Sequence, residues 1–218
     1  MATSRPGTEE RIVQAALEVL STSSIDQVTV RDIAARAGVN VATVHYYFRT
    51  KEAIVAEALP RFFEPVIGSL HESLALSVPP KERLLRFLTD YTRHFRAHPG
   101  VFTSLLDAIG ASARHLPHQE PNAYQKVLLQ VIGGAKGRML GLIADISGLT
   151  DETQLIFLTL RTMTSVLHPL LMSRLPGALF GLDLDDDQVW AGYLRSVVDS
   201  LDSSPVPRHP DVHELQPR

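Results

Sequence analysis

The chain contains no cysteine. This excludes a disulfide-stapled scaffold and any thiolate chemistry, and it is compatible with a reducing compartment. No Gly-rich phosphate loop, nucleophile elbow or metal box is present, so no enzyme activity and no cofactor are expected. Long uninterrupted apolar runs are missing as well. The most apolar stretches, 127–146 and 155–175, are broken by Lys136 and Arg138 and by Arg161, His168 and Arg174. They read as buried helices, not membrane spans. The opening Met-Ala-Thr-Ser-Arg-Pro-Gly lacks an apolar segment, so no signal peptide is expected. Bulk positive charge is also lacking: 24 acidic residues stand against 21 basic ones, a net of −3. Binding to nucleic acid would therefore have to rest on a local surface.

Such a surface lies between residues 31 and 51, where Arg31, Arg36, Arg49 and Lys51 face only Asp32. The same region, from Thr29 to Phe48, reads as two short helices hinged at Gly38. Thr29 and Asp32 have the spacing of a capping box, which opens the first helix and sets an acid at its positive end. Ala34 is small enough for a close helix crossing, Gly38 tolerates a positive φ, and Val44 supplies a buried plug. Asn40 is a good N-cap for the second helix, whose inward stripe is Val44 and Phe48. That leaves Ala42, Thr43, His45, Tyr46 and Tyr47 facing largely outward. So many aromatic and hydroxyl groups are costly as solvent cover, whereas a DNA groove offers phosphates for the hydroxyls and thymine methyls for the apolar parts. The blander alternative is a three-helix subdomain with an aromatic protein-contact face.

Residues 8 to 59 resemble the N-terminal domain of the TetR-type transcriptional regulators. The resemblance is carried by Glu10-Arg11-Ile12, Ala15-Ala16-Leu17, Thr29 through Ala34, Ala37-Gly38-Val39, Thr43 through Phe48, and Lys51-Glu52. It implies an all-α protein with an N-terminal three-helix helix-turn-helix DNA-binding domain (residues 1–52) and a larger helical ligand-binding and dimerisation domain (53–202); residues 203–218, with four prolines and no apolar periodicity, are expected to form a disordered tail. It also implies a cytoplasmic homodimer, commonly a repressor released from a palindromic double-stranded operator by a small-molecule effector. An all-helical adaptor that reuses the fold without operator binding is the alternative. By position, Thr29, Thr43, Tyr46 and Lys51 fall where the family commonly touches DNA, mostly its backbone. Arg31 and Tyr47 join the same candidate surface. The recognition helix departs from the family by opening with Asn40, Val41 and Ala42, so base reading should lean on apolar contacts and on Thr43 and His45. His45 stands where tyrosine is usual.

Beyond residue 50 the pattern is helical throughout. Lys51 to about residue 77 should form a connecting helix, kinked or broken near Leu59 because Pro60 and Pro65 lie inside it. Further helices are expected over 81–98, as a short segment carrying Phe102, Leu105 and Ile109, and over 122–146, 151–175 and 185–201. In the long helix Gly133, Gly137 and Gly141 recur every four residues, a stripe into which another helix could settle.

Candidate effector contacts are Phe62 and Phe63 on the connecting helix, Phe87, Tyr91, His94 and Phe95 on the next, and Phe102 and Tyr124 beyond it, since pockets are mainly apolar with a few polar anchors. His94 and His98 share one helical face, with His115 and His118 further on. Without matching carboxylates or thiols these are expected to be surface histidines, and no metal site is expected. The apolar excess of 155–171 and the stripe on 185–201 suggest a four-helix dimer interface, with Leu160, Leu167 and Leu171 on one helix and Trp190, Leu194 and Val197 on the other.

Overall fold

The computed structural model describes residues 7–101, 103, 104, 123–171, 181 and 183–202, with the side chains of 123–125, 128, 132 and 171 left aside. Eight helices are described: α1 (Thr8–Thr22), α2 (Val30–Ala37), α3 (Val41–Tyr47), α4 (Lys51–Ala75), α5 (Pro80–Ala97), α6 (Ala123–Ser147), α7 (Glu152–Leu171) and α8 (Asp187–Asp199). No strand occurs among the described residues. The expected contacts of Phe102, the segment 105–122 with His115 and His118, and the tail 203–218 lie outside the described residues, as do the side chains of Tyr124 and Leu171.

The chain forms two compact units. The first comprises Met1–Gly68 and Arg93–Gly134, the second Ser69–Thr92 and Ala135–Arg218. In the first, Glu9 and Glu10 open α1 near its positive end, and Ile12, Val13, Ala16 and Leu20 bury its inner face completely. α1 packs on α2 and α2 on α3. In the second unit α7 packs on α8. Asp151 caps the first of these two helices by accepting Gln154 N–H at 2.8 Å, and Asp186 caps the second by accepting Gln188 N–H and Val189 N–H.

α4 runs unbroken through Pro60 and Pro65, so of the expected kink or break near Leu59 the break does not occur. Each proline costs about 3 kcal/mol in a helix interior. The helix buries Leu59, Phe62, Phe63, Val66 and Leu70, and at about 1.5–3 kcal/mol each these outweigh two prolines. The glycine stripe of α6 is a second correction. The helix is continuous, and a Cβ on Gly133, Gly137 or Gly141 would meet nothing within 4 Å among the described residues, so no backbone among the described residues is settled in the groove.

Candidate nucleic-acid interface

The α2–α3 pair follows its sequence closely. Thr29 Oγ1 accepts Asp32 N–H at 3.2 Å while the Asp32 carboxylate accepts Thr29 N–H at 2.9 Å, which closes the capping box. Hydrogen bonds from the Thr29 hydroxyl and amide hold the Asp32 carboxyl below its usual pKa. Gly38 adopts φ 65°, ψ 39° and its N–H reaches the carbonyls of Ala34 and Ala35, ending α2 in a left-handed turn. Asn40 caps α3 by accepting Thr43 N–H at 2.7 Å. Val44 is completely buried and Phe48 nearly so, which fixes the opposite face outward. On that outward face Tyr46 is 83% exposed and Tyr47 41% exposed, their rings meeting edge to face at 5.2 Å. Arg31, Ala42, His45 and Arg49 are exposed too, and Val41 is half-buried.

The hydrogen bonds narrow what each residue can offer. Phosphate oxygens only accept, and Thr29 has already given its N–H and, at 2.7 Å, its O–H to Asp32. Thr29 is thus committed to shaping the helix start. Thr43 likewise gives both its N–H and its O–H to Asn40 Oδ1, presenting its methyl group and hydroxyl lone pairs outward. Arg36 pairs with Glu18, removing it from the phosphate-seeking set. Lys51, expected on phosphate, donates from Nζ to the Ile25 carbonyl at 2.7 Å and is half-buried. Three other contacts had no signal in the sequence pattern because they span distant segments. Arg11 Nη2 donates to the Ala37 carbonyl at 2.6 Å, Ser104 Oγ accepts Ile25 N–H at 2.7 Å, and Gly100 packs against the end of α1.

The expected effector contacts fall in two groups, one in each unit. In the first unit Phe62 lies at 4.5 Å from the His94 ring, 5.2 Å from His98, 5.6 Å from Phe95 and 5.1 Å from Phe63. His94 and His98 are therefore half-buried partners of an aromatic cluster, which corrects their reading as surface histidines. His98 Nδ1 lies 2.7 Å from the His94 carbonyl; a carbonyl only accepts, so Nδ1 carries the proton. Desolvation, and secondarily repulsion from His98, push the His94 pKa below its ordinary value. In the second unit Phe87 and Tyr91 pack at 5.6 Å, and burial pushes the Tyr91 phenol up. Among the described residues no group of three or more His, Asp or Glu side chains could hold a metal ion.

Two of the expected interface residues are interior to their own chain. Trp190 is 4% exposed and donates from Nε1 to Thr92 Oγ1 at 3.0 Å, and Leu194 is fully buried. The stripe of α8 is satisfied within the second unit, where Tyr193 also donates to the Ser165 carbonyl. The open apolar positions on α7 are Phe157 and Leu160, the latter 57% exposed, while Leu167 and Val197 are half-buried.

Residues 12–58 match the model of the family described as bacterial regulatory proteins, tetR family. This N-terminal region thus carries the TetR-type helix-turn-helix pattern. The HTH-type transcriptional repressor KstR2 of Mycolicibacterium smegmatis is 29% identical to this chain over 75 residues, 34% of this chain and 37% of that protein. This chain spans about a third of the length of the curated relatives it matches. A TetR transcriptional regulator from Legionella pneumophila shares the fold with a TM-score of 0.68 at 18% identity, covering 91% of this chain and 98% of that one. The multidrug binding protein EbrR, solved in complex with imidazole, superposes with a TM-score of 0.59 at 25% identity over 94% and 98% of the two chains. An N-terminal helix-turn-helix followed by a larger helical region is thus common to this chain and its structural neighbours. No helix among the described residues is long and apolar enough to cross a membrane.

Proposed function

We propose that this protein is a cytoplasmic transcriptional repressor that binds a palindromic DNA operator as a homodimer and leaves it when a small molecule binds. The observation that carries the DNA-binding reading is the outward face of α3. Tyr46 is 83% exposed beside Tyr47, held there by the buried Val44 and the left-handed turn at Gly38. Residues 1–52 serve as the DNA-binding domain and 53–202 as the ligand-binding and dimerisation domain. Tyr46, Arg31, Arg49 and Lys51 meet phosphate, while Val41, Ala42, Thr43 and His45 meet base edges. Exposed Phe157 and Leu160 support pairing through α7. The effector reading draws on the aromatic cluster around Phe62, on the relative named as a repressor and on the neighbour named as a multidrug binding protein.

Electrophoretic retardation of duplexes tiled from the DNA flanking its own gene tests the first step. Specific retardation, abolished by Tyr46→Ala and Arg49→Ala together, is expected. Equal binding to all duplexes, or none to any, argues instead for an adaptor that reuses the fold. A thermal-shift screen for compounds that raise Tm and release the retarded duplex tests the second step.

A further inference from the structure

Ile25 lies in the turn between α1 and α2, and both of its backbone polar groups are held from outside that turn. Its N–H donates to Ser104 Oγ at 2.7 Å, and its carbonyl accepts Lys51 Nζ at 2.7 Å. Ser104 is 4% exposed and its own hydroxyl proton goes to the Gly100 carbonyl at 2.8 Å, so the oxygen that receives Ile25 cannot rotate away without breaking a second bond. One turn earlier, Gly100 lies so close to the end of α1 that a Cβ would collide with the Leu20 carbonyl and stand 2.5 Å from Ser23 N. Gly100 and Ser104 are thereby registered on the α1–α2 connection by backbone packing and by one part-buried hydrogen bond.

We propose that Ser104 is a positioning residue for DNA binding, fixing Ile25 so that Ile25 in turn holds the Lys51 ammonium ready for a phosphate. The assignment rests on the DNA-binding reading above. A lysine ammonium has three donors; the Ile25 carbonyl takes one and leaves two for phosphate oxygens. A lysine side chain that is already held does not lose its rotamer freedom at the moment of binding. Lys51 also opens α4, whose first amides and positive end favour an anion at the same place. Any displacement of Gly100 and Ser104 would loosen Ile25 and release Lys51, coupling these residues to operator affinity without contact to the DNA.

A double-mutant cycle on the full-length protein tests this, with duplexes tiled from the DNA flanking its own gene as probes. Ser104→Ala should weaken binding about five- to tenfold when Lys51 is present, in keeping with the loss of one hydrogen bond. In a Lys51→Met background it should change binding less than about twofold. Lys51→Met should lower the salt slope by about 0.9, and Ser104→Ala should leave that slope unchanged, because the phosphate contact survives. Amide exchange of Ile25 in the DNA-free protein should speed up at least about tenfold in Ser104→Ala. An equal loss in both backgrounds, or no loss in either, overturns the assignment, as does an Ile25 amide whose exchange is unaffected. A parent protein that binds none of the duplexes overturns the DNA-binding reading and the assignment with it; the amide exchange then shows whether the clamp itself stands.

Discussion

Arg11 on α1 donates from Nη2 to the Ala37 carbonyl at 2.6 Å and reaches the Gly38 carbonyl at 3.4 Å, placing a guanidinium on the negative end of α2. These carbonyls belong to the last turn, which has no intrahelical donors left. Arg11→Met should destabilise the protein by about 1 kcal/mol, less than a buried charged bond because Arg11 is exposed. The loss should appear as a lower denaturation midpoint, and an unchanged midpoint would show that the contact contributes nothing.

Two glycines predict opposite outcomes on substitution. Gly100→Ala forces a methyl group into the Ser23 backbone and should cost about 3 kcal/mol. Gly137→Ala on α6 meets open space and should gain up to about 1 kcal/mol from helix propensity. Urea unfolding of both variants decides the matter, and a destabilised Gly137→Ala would reveal a neighbour in the groove.

His94 makes stability depend on pH. Its folded pKa lies below the unfolded value of 6.5, so the folded state disfavours the proton. The unfolded chain takes up protons first as pH falls, and stability, fully present above 6.5, declines from about that pH down through the folded pKa. His94→Gln should flatten this part of the profile, measured by Tm between pH 7.5 and 5. A slope as steep as the parent's would assign the effect to other groups.

Trp190→Phe removes the indole N–H that reaches Thr92, whose hydroxyl is 1% exposed and donates to the Thr89 carbonyl. Leaving that oxygen without its donor, together with a smaller ring, should cost about 1–2 kcal/mol. In a Thr92→Val background the same substitution should cost less; identical costs in both backgrounds would mean that ring packing alone holds Trp190.

The helix-turn-helix was legible residue by residue because its determinants are local. A cap, a left-handed glycine and an apolar spacing of four act within a few positions of one another, so Thr29, Gly38, Asn40 and Val44 took the places their chemistry assigns. Helix existence in the larger region was legible for the same reason. Side-chain roles were not, wherever a partner came from far along the chain. The stripe on α8 looked like an interface, and the position of Thr92, 98 residues before Trp190, decided that it is interior. The two prolines of α4 read as a kink or a break, and that the helix stays unbroken rests on burial of Phe62, Phe63 and Leu70, which cannot be summed from the helix's own residues.

The sequence by itself determined an all-helical chain with a helix-turn-helix whose exposed face carries Tyr46, Tyr47 and a local positive charge, since periodicity and capping are short-range effects. Only the tertiary structure decided that Lys51 and Ser104 grip the same residue, and that His94 and His98 pack on Phe62. These contacts depend on which segments meet in space. A hydrogen bond between residues 79 positions apart leaves no period and no spacing for a reader of the chain to find.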